Sequence, residues 1–267
     1  MSQVSRLLPL GILCAGLSVA SIQAQIQAQI QAQSTPGRTP VLVELFTSEG
    51  CSSCPPADAL LAKLDRDQPI DTAQIIILGE HVDYWDKEGW HDRFSSPQYT
   101  DRQTQYGQRL HFDSIYTPQM IVDGTDQFVG NDASHARSAI AHAAQTSRLS
   151  LTLSRPVVDG QRISATVSLA SAPAGQPQGD LYAALVDPSD TTSVRSGENG
   201  GRELHHAGVV RVLQRIGSVN NLGSQPQTFS LNAPKDATPN TMRVVVFAQE
   251  RGQGAVLGAA MRAIAAN

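Results

Sequence analysis

Cys51 and Cys54 enclose two serines, and that spacing is the spacing of a redox couple. Two thiols can close a disulfide when their Cα atoms lie about 4.4–6.8 Å apart, and one helical turn supplies that separation. At a helix N-terminus, unpaired N–H groups and the helix dipole stabilise a thiolate and lower its pKa from about 8.5. Cys51 is the expected nucleophile, nearer solvent, and Cys54 the residue that resolves the mixed disulfide. The flanking residues provide the turn. Val41 to Phe46 reads as a buried strand interrupted by Glu44, and Ala57, Leu60, Leu61 and Leu64 repeat at helical spacing. Pro55-Pro56 restrains Cys54 away from helical angles, so Cys54 is expected to cap that helix and not to lie within it.

The other cysteine supports a chemical use of this pair. Of three cysteines, Cys14 lies in an N-terminal apolar run from Leu7 to Ala20, behind the lone charge Arg6. With small residues at Ser18-Val19-Ala20 and Ala24, residues 1–24 read as a secretory signal, too short for a spanning helix of about 20 apolar residues. Residues 25–38 continue a polar Ile-Gln-Ala-Gln repeat and read as a low-complexity linker. The mature chain is therefore expected to be periplasmic or secreted, with no stable membrane insertion once the signal is cleaved. Its one remaining pair closes too short a loop to stabilise a fold by chain entropy. Lys and Arg total 20 against 24 for Asp and Glu, a balance with no field directed at nucleic acid.

The elements that position the pair follow in order. Ile75-Ile-Ile-Leu78 is a second buried strand, parallel to the first because a helix intervenes. Ser96-Pro97 starts a polar helix reaching about Leu110. Thr117-Pro118 precedes a hairpin of Gln119 to Asp123 and Gln127 to Val129, and Asp132 caps a last helix through Ala144.

The order β-α-β-α-β-β-α resembles the thioredoxin fold, with Cys51-Ser-Ser-Cys54 after the first strand and Thr117-Pro118 just ahead of the third. The runs His81-Val-Asp-Tyr-Trp-Asp86 and Gly197-Glu-Asn-Gly-Gly-Arg202 extend the likeness. From about Thr39 to the C-terminus the chain resembles the exported thioredoxin-like proteins of domain-of-unknown-function family 1223. The resemblance implies a cis bond at Pro118 facing the sulfurs, where Thr117 and Pro118 would contact a substrate strand. It also implies a buried acid near the pair. Glu44, seven residues before Cys51, takes that part and would exchange a proton with Cys54, unless it stands at the strand edge in water.

Around the pair, His81, Tyr84 and Trp85 leave the C-terminal end of the second strand, where functional loops of parallel sheets gather. Eight aromatics crowd between Tyr84 and Tyr116, of thirteen in the chain; they form either the core of the helical layer or a groove for a substrate. His81 is either a structural histidine beside Asp83 or, with both cysteines, a soft site for copper(I) or zinc. No recognisable spacing marks a metal cluster elsewhere, and no resident cofactor is expected.

From Leu149 the hydrophobic period changes to two, through runs at Leu149–Ser154, Ile163–Leu169, Leu181–Val186, Val209–Leu213, Gln227–Leu231 and Arg243–Ala248. Several short strands of this kind suggest a β-sandwich. Val194 to His206 interrupts them with a glycine-rich loop in which Glu198, Arg202, His205 and His206 could form a polar network or a ligand site.

Together these readings predict an α/β thioredoxin-like domain at 39–147 followed by an all-β sandwich-like domain at 148–267. The expected function is dithiol/disulfide exchange with a protein or small-molecule thiol or disulfide. Metal binding, redox sensing and a scaffold without turnover remain open alternatives.

Overall fold

The computed structural model of the chain describes residues 37–112, 114–170, 178–222 and 225–264; the signal and most of the linker expected above lie outside them. An eight-stranded sheet runs through the molecule. It contains β1 (Thr39–Thr47), β2 (Ala73–His81), β3 (Gln119–Val122), β4 (Asp126–Val129), β8 (Asp180–Ser193), β9 (Glu203–Ser218), β11 (Arg243–Gln249) and β12 (Val256–Ala263). Their spatial order is β12-β11-β8-β9-β2-β1-β3-β4. β1 and β2 pair in parallel, β3 and β4 are antiparallel to their neighbours, and Thr117-Pro118 is a cis bond immediately before β3.

The alternation along β1 sorts the helices onto the two faces. Val41, Val43 and Leu45 point toward α1 (Pro55–Asp67) and α3 (Ala133–Ala143), where Leu61, Leu64 and Ile140 meet Ile75 and Ile77. Leu42 and Phe46 point the other way, toward α2 (Pro97–Leu110), whose Tyr99 and Tyr106 are buried. The caps expected from sequence are in place: Ser96 Oγ accepts from Gln98 N, and Asp132 Oδ1 accepts from Ser134 N and His135 N.

The second half contributes strands to both layers. A second sheet, β10-β7-β5, consists of β10 (Gln227–Asn232), β7 (Arg162–Leu169) and β5 (Leu151–Leu153), with β6 (Val157–Asp159) paired to β7. Its Ile163, Ala165 and Val167 pack on Leu181, Ala183, Leu185, Val244 and Val246 of the large sheet. One layer of this sandwich is thus the far half of the sheet that carries β1. Arg38–Asn267 form one compact unit, with no break at the expected 147/148 boundary.

β8 and β9 run to 14 and 16 residues, far beyond the apolar segments that mark them in sequence, and pair as one long hairpin. β2 and β9 meet in parallel at Gly79 and Val209. A methyl group on Gly79 would stand 3.0 Å from the Ala207 carbonyl oxygen, so glycine permits the close approach of the two strands there. That junction carries the tip of the hairpin to the cysteine turn.

Candidate functional site

Cys51 and Cys54 are joined by a disulfide with Cα atoms 5.4 Å apart. Cys54 is the N-cap of α1, with Pro55 in the first turn, as the sequence suggests. Its backbone departs from the expected extended form, at φ −78° and ψ −36°. The reason is local bonding: its carbonyl accepts from Ala57 N at 2.8 Å and Asp58 N at 3.1 Å, and its own N–H donates to the Cys51 carbonyl.

The expected exposure of Cys51 is corrected by the structure: both cysteines are 0% exposed. The loop between β8 and β9 is bonded to the main chain of this turn. Asn199, itself fully buried, donates from Nδ2 to the carbonyl oxygens of Glu49 at 2.9 Å and Cys51 at 3.0 Å. Glu198 Oε2 accepts from Ser52 N at 3.1 Å. Ser52, side chain first and then backbone, holds the Glu198 carboxyl below its ordinary pKa. Arg202 Nη1 donates to Asn199 Oδ1, and Ser196 Oγ to the Gly89 carbonyl. Gly197, at φ +75°, packs its backbone against Gly89 and Trp90, where a side chain would not fit.

The structure gives the residues singled out by sequence different surroundings. Trp85 Nε1 donates to Thr117 Oγ1 at 2.8 Å, tying the His81 loop to the cis-proline segment. Pro118 lies beside the first turn of α1: a methyl on Gly130 would be 3.1 Å from Pro118 Cβ and 3.2 Å from Ala57 Cβ. Tyr84 donates to Gln103 and, with Trp85, packs on the Phe46, Val82 and Tyr106 core, so these aromatics serve the helical layer.

Glu44 lies on the α2 face, where Arg102 Nε and Tyr106 Oη each donate to it at 2.6 Å. Arg102 also bonds Gln249 and Gln253 and stands 3.5 Å from Glu80. Burial and then the adjacent Glu44 push the Glu80 carboxyl well above its ordinary range. In place of proton exchange with Cys54, expected from sequence, Glu44 is paired with Arg102, which in turn bonds Gln249 and Gln253 of the second half.

The buried acid on the disulfide side is Asp58. It follows Cys54 by four residues on the inner face of α1, where i and i+4 side chains are neighbours. Burial pushes its carboxyl up to about 7, against the lowering effects of His206 and the Thr47 hydroxyl. His206, from β9, stands with Nδ1 3.7 Å from Asp58 Oδ2 and Nε2 3.6 Å from Glu49 Oε1. His81 meets the same cluster, its ring centroid 4.8 Å from that of His206, and its Nδ1 lies 2.6 Å from Asp92 Oδ2. Asp83, the expected neighbour, instead accepts from the Thr100 hydroxyl. Burial opposes the charge on Asp92, yet His81 and the N–H groups of Glu49 and Phe94 hold it down to about 2. Among the described residues, no three His, Cys, Asp or Glu side chains are grouped to hold a metal ion.

Asp58, Glu49, Asp92 and Asn199 escaped the sequence reading. Asp58 carried a usable signal, because it shares the apolar face of Ala57, Leu61 and Leu64. His206 was in view, and strand alternation separates its buried side chain from that of exposed His205.

Comparison with known proteins agrees with this architecture. The crystal structure of protein AGR_C_4864 from Agrobacterium tumefaciens is 27% identical, with a TM-score of 0.64, over 86% of this chain and 96% of that one. A domain of the outer membrane lipoprotein Omp28 from Porphyromonas gingivalis is only 13% identical, with a TM-score of 0.30, over 45% of this chain and 89% of that one. No curated protein matches the sequence. The family model described as "Protein of unknown function (DUF1223)" matches residues 42–249, disulfide and β8–β9 loop included, and the chain belongs to that family.

Proposed function

We propose that the chain is an exported, thioredoxin-like thiol-disulfide exchange protein whose redox couple is Cys51–Cys54. The observation that carries this reading is the disulfide at the N-terminus of α1 beside the cis Thr117-Pro118 bond. The order β2-β1-β3-β4, with α1 and α3 on one face and α2 on the other, supports the thioredoxin-like part. A disulfide in a chain with a signal-like N-terminus supports export to an oxidising compartment.

In this reading the exchange runs in two steps. An incoming thiolate bonds to the Cys51 sulfur, the S–S bond breaks, and Cys54 leaves with the electron pair and takes up a proton. A second thiolate of the partner then attacks its own sulfur in the mixed disulfide and releases Cys51. The partner departs as a disulfide and the chain holds a dithiol. A substrate disulfide reverses the sequence. In this reading Pro118 aligns the substrate strand, with Thr117 held by Trp85. Asp58, one helical turn from Cys54, serves its proton in the part that sequence assigned to Glu44.

The test is turnover of a disulfide substrate. With dithiothreitol as reductant, the protein is expected to accelerate insulin reduction, and Cys51→Ser to abolish the acceleration. Wild-type turnover no faster than dithiothreitol alone rejects the reading.

A further inference from the structure

Glu198 and Asn199 sit on the cysteine turn as a bound peptide would. The turn offers two outward acceptors, the carbonyls of Glu49 and Cys51, and one donor, the Ser52 N–H. The Asn199 amide meets both acceptors and the Glu198 carboxylate meets the donor. All three groups belong to the main chain of the redox turn, so their recognition is independent of the side chains at Ser52 and Ser53. The occupying loop is built to leave. Its base is closed by backbone bonds between Val194 and Arg202 and between Gly201 and Val194, while Ser196, Gly197, Glu198, Gly200 and Gly201 are exposed. Lifting the tip breaks the hydrogen bonds of Asn199, Glu198 and Ser196 and the packing of Gly197 on Gly89 and Trp90, and leaves the β8–β9 ladder intact.

We propose that the stretch from Glu49 to Ser52 is a peptide-binding subsite, now filled by the chain's own Glu198-Asn199, which a polypeptide segment carrying an acidic residue followed by an amide residue displaces. This inference rests on the redox reading and names the substrate class for that site. Dithiothreitol carries neither an amide nor a carboxylate with which to replace these bonds. With both cysteines covered, attack on Cys51 waits on displacement of the loop.

The test uses the full chain. Reduction of Cys51–Cys54 by dithiothreitol, followed by mass-tagging of free thiols, is compared between wild type and the double variant Glu198→Ala/Asn199→Ala. Loss of the loop's hydrogen bonds is expected to accelerate reduction by roughly tenfold or more, with the thermal midpoint little changed. A synthetic peptide Val-Arg-Ser-Gly-Glu-Asn-Gly-Gly-Arg, added in trans, is expected to slow the variant again. The same peptide with Ala for Glu and Asn is expected to have no effect. If the double variant fails to fold, exposed Glu198→Ala alone supplies the opened protein, with a smaller acceleration. An unchanged rate, or an acceleration that the peptide does not reverse, overturns the proposal. An opened variant that is reduced quickly and bound by the peptide, yet passes no electrons to insulin, instead overturns the redox reading and leaves the subsite standing.

Discussion

Asp58 and Glu44 divide between them the two tasks a buried carboxylate can have, and their pH and stability signatures differ. The folded pKa of Asp58, about 7, stands above the roughly 3.9 of an unfolded aspartate. The folded state therefore holds this proton more tightly, so the contribution of Asp58 to stability is full below about pH 4 and is lost as pH rises through 7. Asp58→Asn, which stays neutral, should gain on wild type across that window by on the order of 2–4 kcal/mol and then hold a constant lead, as read by urea unfolding from pH 4 to 8. A constant difference over the whole range would contradict the buried-acid assignment. Glu44→Gln should lower stability, because it weakens a buried ion pair with Arg102, but leave the pH profile of thiol exchange where it was. A displaced profile would return the proton role to Glu44. The sequence made the pair of cysteines, Thr117-Pro118 and the His81 loop legible because motif and spacing mark them. It misdirected the search for the acid because a lone carboxylate in an apolar strand does not reveal its face. Only the pairing of β1 with its neighbours puts Glu44 opposite α2 and frees Asp58 to stand below Cys54.

At the scale of elements, the disulfide stands at the N-terminus of α1 and the loop of the β8–β9 hairpin is bonded to its turn. Leu61 is 1% exposed in the core under α1, so Leu61→Ala should cost about 2–5 kcal/mol by chemical denaturation. Because the helix N-terminus sets the turn, that loss should be accompanied by faster reduction of the disulfide. The helices and the first strands were readable because caps, prolines and apolar periods agree with one another. The length of β8 and β9 was not. Their outer halves, such as Ser189 to Ser193, are polar and half-exposed or exposed, and pair through backbone bonds that leave no hydrophobic signature. β12 was likewise silent, since Gly258, Ala259 and Ala260 give no alternation to detect. The loop from Val194 to Arg202 stood out for its glycines, yet nothing in its composition states that it closes over residues 150 positions earlier, as the Asn199–Glu49 bond does.

For the whole molecule, the decisive feature is that one sheet spans what sequence periodicity divides into two domains. β9 pairs with β2, and Arg102 bonds Gln249 and Gln253 from the far end of the chain. The change of period at Leu149 is real, but it marks a change of layer and not the end of a core. A chain ending at residue 147 should therefore lack cooperative unfolding in circular dichroism, and full-length protein should unfold in one transition. A stable, cooperatively melting fragment would contradict the single-core description. The central claim, that Cys51–Cys54 is a working couple and not a staple, is tested most directly by equilibrating the folded protein against glutathione buffers and counting free thiols by mass. The account predicts a reversible two-electron transition above roughly −300 mV, the level below which structural disulfides lie, with both end states folded. A pair that stays oxidised until the protein unfolds would contradict it.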